Sequence, residues 1–121
     1  MRWSFWIWLF GLVAGVAYAL IPGQAVEPYY VAGFGGHAAG FAALTAAGVA
    51  AAGWKRGWLV ALGTFALGVA LEFVQNLVPG RGYELPDVEA NLLGVVVGWL
   101  CAEGWGWWAR RRGAAADVSP E

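Results

Sequence analysis

Residues 67–98 read LGVALEFVQNLVPGRGYELPDVEANLLGVVVG. Two apolar runs flank a connector that holds Pro79, Gly80, Arg81, Gly82 and Pro86. Proline removes a backbone donor and glycine loosens the chain, so helices on either side end here. A helix needs about 20 apolar residues at 1.5 Å each to cross a hydrocarbon core about 30 Å thick. Extending outward from the connector at that length gives spans at 58–78 and 88–108. The same reading toward the N-terminus gives spans at 3–21 and 35–53, separated by a break from Pro22 to Phe34 with Glu27 and Pro28, and by the short Trp54-Lys55-Arg56-Gly57. The sequence therefore predicts an all-α membrane protein, four transmembrane helices in a compact bundle over residues 1–109. From Arg110 onward the chain is rich in Arg, Gly, Ala and acids, and residues 110–121 are expected to be a flexible cytoplasmic tail.

Composition agrees. Of 121 residues, 60% are hydrophobic and 12% charged, about half the charged fraction of an ordinary soluble domain. A net charge of -1 excludes a nucleic-acid binder built on a basic face, which needs clustered Lys and Arg. A single cysteine, Cys101, and a single histidine, His37, offer neither an internal disulfide nor a zinc site by cysteine spacing. No cofactor and no metal are expected on that basis.

Short loops on the cytoplasmic side carry the excess of Lys and Arg. Arg2, Lys55, Arg56, Arg110, Arg111 and Arg112 fall on one side of the four-span layout, and Arg81 alone on the other. This places both termini in the cytoplasm, in a multi-pass protein of the cell membrane. All nine tryptophans lie toward that inner side, while Tyr18, Tyr29, Tyr30 and Tyr83 lie toward the outer one. A cleaved signal peptide ending at Ala17-Tyr18-Ala19 is the rival reading of the first stretch; its three tryptophans favour a retained helix. Small-xxx-small pairs at Gly11 and Gly15, Gly36 and Gly40, and Gly94 and Gly98 let helix backbones approach closely in lipid. Packing among the chain's own helices is the expected use of all three. The oligomeric state is left open.

A central charge in a span costs at least about 2.5 kcal/mol on insertion scales, so such side chains face the bundle interior. Glu72 and Gln75 are three residues apart on one face of the third span. If that span ends near Val78, Glu72 lies about 9 Å below the outer boundary. Asp87 opens the fourth span as an N-cap or first-turn acid, favourable against the helix dipole, with Asn91 one turn deeper and Gly94 and Gly98 as spacers along the same face. His37 enters from the start of the second span and Arg81 from the connector. His37, Glu72, Gln75, Arg81, Asp87 and Asn91 thus converge in the outer half of the membrane. Glu103, among tryptophans near the inner end, is expected to reach the inner interface.

These residues resemble the signature of the VanZ-like family of small membrane proteins. That family pairs an ExxQ on one helix with a loop arginine, then an aspartate and an asparagine with glycines on the next, which here are Glu72, Gln75, Arg81, Asp87, Asn91, Gly94 and Gly98. The histidine of the preceding helix corresponds to His37. Members often carry an Asp-Lys pair just before that histidine, where this chain has Gly33 and Phe34. The resemblance implies a four-helix membrane domain and, through the family's namesake, a link to resistance to the lipoglycopeptide teicoplanin.

Two functions follow as expectations. The first is a polar pocket in the outer leaflet that binds a lipid headgroup, a lipid-linked cell-wall precursor or an amphiphilic antibiotic, with Arg81 on the anion and no catalysis. The second is an enzyme using Glu72 or His37 as general base on a phosphate or acyl group. The absence of a nearby serine or cysteine nucleophile favours the first. An ion-coupled transporter is weaker for want of an internal repeat, and a cluster that only holds helices in register is the structural alternative.

Overall fold

The structure is a computed structural model that describes residues 3–23 and 33–116. It is all-helical among those residues: α1 Trp3–Leu20, α2 Gly33–Ala52, a short 3-10 turn Trp54–Arg56, α3 Gly57–Gln75 and α4 Leu85–Ala116. All four long helices are apolar and long enough to cross a membrane, and they pack together, which marks the chain as a multi-pass membrane protein. The expectations for Arg2, Glu27, Pro28, Tyr29, Tyr30 and residues 117–121 lie outside the described residues.

Helix boundaries depart from the sequence reading at the connector and at the C-terminus. α3 stops at Gln75 rather than near Val78, because Asn76, Leu77 and Val78 turn on backbone bonds to residues three before them. Glu72 therefore sits only one turn from the helix end, about 4.5 Å by the helical rise, not 9 Å. The expected tail is a second correction: α4 continues as helix through residues 110–116. Its arginines stack on aromatic faces, Arg110 over Trp54 at 5.3 Å, Arg111 over Trp107 at 4.1 Å and Arg112 over Trp108 at 4.2 Å. Alanine and arginine are good helix formers, and the stacking supplies the order that composition alone did not promise.

The helices run up and down. At one end, Trp8 lies against Gly48, and the Trp99 indole donates to Glu103 Oε1 at 3.2 Å beside Gly57. At the other end α1 and the α3–α4 connector meet, with Gly23 N donating to Pro79 O at 2.9 Å. A side chain at Gly23 would run into the Gly80 carbonyl.

The tightest seam joins α2 to α4. A Cβ on Gly94 would collide with the carbonyl oxygen of Ala38, and one on Gly98 with that of Ala42; these glycines let the two backbones touch. The other glycine pairs do something different from the packing expected of them. Cβ atoms built on Gly15 and Gly40 meet nothing within 4 Å, and Gly11, Gly15, Gly36 and Gly40 all face a cleft between α1 and α2. Packing contacts against α1 bury only Ala19 of its described residues.

Gly98→Ala should cost about 1–3 kcal/mol through overpacking, read as a lower thermal midpoint by circular dichroism in detergent. Gly15→Ala should be neutral or stabilising by up to about 1 kcal/mol, since helix propensity gains and no contact is crowded.

Candidate functional site

Glu72 and Asn91 are each 1% exposed, and Gln75 5%. Three polar side chains from α3 and α4 meet around His37 of α2. Asn91 sits one turn after Asp87 on α4, so both point at the same ring. The Asn91 Oδ1 accepts from His37 Nδ1 at 3.0 Å. On the ring's far side His37 Nε2 is 3.3 Å from Asp87 Oδ2, and Glu72 Oε1 approaches Nδ1 at 3.9 Å. The second Glu72 oxygen lies 3.5 Å from the backbone N–H of Glu84, just ahead of α4.

Gln75 links this group to Arg81. Its amide nitrogen donates to Glu72 Oε1 at 3.3 Å and its oxygen accepts from Arg81 Nη1 at 3.3 Å. The reversed amide would reach Ala19 O at 3.4 Å, but it would set oxygen against carboxylate and nitrogen against guanidinium. Charge decides for the first orientation.

Arg81 also has a structural use that the sequence did not suggest. It donates from Nε to Ile21 O and from Nη2 to Tyr18 O, both at 3.1 Å, and stacks over the Tyr18 ring at 5.1 Å. Orphan carbonyls close an α-helix, and a cation at that end complements the dipole. Arg81 is thus the C-terminal cap of α1, with the rest of its guanidinium bordering the cleft.

The sequence-predicted residues are therefore brought together in two linked groups: His37, Glu72, Asp87 and Asn91 in direct contact, then Gln75 and Arg81 as a bridge to α1. Gly94 and Gly98 lie deeper as spacers. Among the described residues no Lys or Arg forms an ion pair with Glu72 or Asp87.

Sequence reasoning missed the cleft. It encloses about 600 Å³ and runs from Ile7 and Ala47 past Gly15 and Gly40 to His37, Glu72, Gln75 and Arg81. From Ile7 to Tyr18 along α1 this is about 16 Å at the helical rise. Its walls are apolar side chains, Phe10 and Phe41 among them, and glycine, and its polar groups are gathered at one end. The available signal was that glycine pairs on two successive helices can leave a groove as readily as a contact. Gly68 was missed as well: its Cβ would press on the Phe41 ring and stand 3.1 Å from Asn91 Nδ2, so a glycine there makes room for the amide. So was Thr45, fully buried, whose Oγ1 donates to Phe41 O at 2.7 Å.

Compared with known protein families, curated proteins and solved structures, the chain finds no match.

Arg81→Met should release the end of α1. Amides around Tyr18 to Ile21 should exchange with deuterium about tenfold faster, the consequence of losing about 1.4 kcal/mol of charge-assisted hydrogen bonding, while amides of α4 past Gly94 stay protected. Unchanged exchange at both places would show that Arg81 does not hold α1.

Proposed function

We propose that the cleft holds one chain of an amphiphilic cell-envelope molecule, a lipid-linked precursor, a lipid or a lipoglycopeptide antibiotic, with its headgroup at His37, Gln75 and Arg81. One observation carries this reading: a single cleft of about 600 Å³ passes from apolar and glycine walls to a cluster of ionisable groups at one end. Ligand sites have that size, apolar lining and sparse convergent polar groups. A hydrocarbon chain beside Gly15 and Gly40 would fill space that no other residue occupies, and the guanidinium N–H groups of Arg81 not used by Ile21, Tyr18 and Gln75 are suited to a phosphate or carboxylate.

The excess of Lys and Arg at the tryptophan end supports an orientation with both termini cytoplasmic in the cell membrane, so that the polar end opens toward the outer leaflet. The resemblance of residues 67–98 to the VanZ-like family supports a cell-envelope ligand and a part in glycopeptide resistance. An enzyme acting on the held molecule is the second reading, favoured by His37 standing between two carboxylates.

Native mass spectrometry of protein released in mild detergent tests the proposal. Wild type should carry a bound amphiphile of defined mass. Gly15→Leu with Gly40→Leu, which fills the cleft where a new side chain meets nothing, should reduce occupancy at least about tenfold while helix content is unchanged, a loss of about 1.4 kcal/mol or more. Bare wild-type protein, or equal occupancy in the filled variant, refutes it. If chemistry follows binding, Glu72→Gln should accumulate an amphiphile of different mass from that held by wild type.

A further inference from the structure

Glu72 is almost wholly buried, and Asp87, buried on α4, lies across the same imidazole. The only guanidinium nearby among the described residues, that of Arg81, spends Nε and Nη2 on the carbonyls of Ile21 and Tyr18 and Nη1 on Gln75. Two carboxylates in the apolar part of the chain thus share one imidazole as their sole cationic partner among the described residues. Even a charged ring leaves the group one positive charge short of balance, and uncompensated charge inside the bundle is costly.

The imidazole itself is set up as a ligand. Because Asn91 Oδ1 can only accept, the hydrogen bond to it puts a proton on His37 Nδ1, and this outer contact is the kind that fixes the tautomer of a metal-binding histidine. His37 Nε2 and Asp87 Oδ2 then face each other at 3.3 Å. Donors about 2.0–2.1 Å from an ion in a tetrahedral site stand about 3.3–3.4 Å apart, so this pair already has the spacing of one edge of such a site. One donor atom each from His37, Glu72 and Asp87 lies within 4.8 Å of the others, and an ion at Nε2 would draw the Glu72 carboxylate from its present place beside Nδ1 by rotation about its side-chain bonds, exchanging its contacts with Gln75 and the Glu84 amide for the metal.

We infer that His37, Glu72 and Asp87 form a binding site for a divalent transition-metal ion of the zinc type, with Asn91 orienting the histidine. One nitrogen and two carboxylates suit zinc, manganese or iron over calcium or magnesium, which prefer all-oxygen shells. Three protein ligands leave a coordination position free, the arrangement of zinc sites that receive water or substrate, and His37, Glu72 and Asn91 border the cleft. The inference stands on donor atoms and charge balance, not on what fills the cleft.

The test uses untagged full-length protein in detergent, stripped with EDTA, loaded with zinc chloride, desalted and counted by elemental mass spectrometry. Wild type should retain one zinc per chain, and the zinc absorption edge should report nitrogen and oxygen neighbours without the sulfur of exposed Cys101. Asp87→Asn and His37→Gln should retain less than about a tenth as much, Asn91→Leu should bind roughly 10- to 100-fold more weakly, and Glu103→Gln, at the opposite end, should bind as wild type. Gel filtration and circular dichroism identify any variant that fails to fold, and for such a variant the wild-type stoichiometry and edge spectrum decide. Less than about a tenth of an equivalent on wild type, a sulfur-containing shell, or undiminished binding by folded Asp87→Asn would overturn the site and leave a proton between His37 and Asp87.

Discussion

A carboxylate that cannot reach water constrains every element around it. Glu72 is 1% exposed on a helix built for lipid, and each of its oxygens must find a partner within the protein. The partners come from elsewhere in the chain: the start of α2 through His37, the approach to α4 through the Glu84 amide, and the end of α3 itself through Gln75. Satisfying one side chain therefore sets how far α2 rises beside α3, where α3 must stop and how the connector returns. The loss of the final turn expected of α3 belongs to the same constraint, since a helix continuing to Val78 would carry the connector away from Glu72 instead of back across it.

The glycine seam of α2 and α4 makes that geometry possible. With carbonyl oxygens of Ala38 and Ala42 lying against Gly94 and Gly98, His37, next to Ala38, is brought within reach of Asn91 and Asp87, about one and two turns before Gly94 on α4. Gly68 clears space for the same amide from the third side. Small residues thus act in two ways within this chain. At Gly94 and Gly98 the missing side chain is replaced by another backbone, and at Gly15 and Gly40 it is left as volume.

That distinction explains what was legible in the sequence. Long apolar runs broken by Pro and Gly carry the four spans without ambiguity, and an ionisable residue within such a run points inward on energetic grounds alone, so the grouping of Glu72, Gln75, Asp87, Asn91 and His37 could be read from depth and helical face. Four things could not. Gly11 with Gly15 reads identically to Gly94 with Gly98, because whether a neighbour approaches is a property of the neighbour. Arg81 binds main-chain carbonyls, which every residue possesses, and so leaves no pattern at Tyr18 or Ile21. The order of residues 110–116 comes from arginines stacked on indoles, a pairing across turns and helices that composition does not reveal. A metal-ligand set escaped for a similar reason: its members lie on three helices with no short spacing to betray them.

The capping of α1 by Arg81 also has a temporal side. The bonds to Tyr18 and Ile21 span 63 and 60 residues of sequence, and at a synthesis rate of about 5–20 residues per second the ribosome needs roughly 3–12 s to make that distance. Throughout that interval the first helix resides in the bilayer with its final carbonyls unsealed, attended by lipid, water or the insertion machinery. Only when the last hairpin arrives is the lid end of the bundle stitched shut. The α1 part of the cleft wall is therefore made 60 residues ahead of the arginine that secures it, and the emergence of a short arginine-bearing loop becomes the step at which the end of α1 is tied to the rest of the bundle.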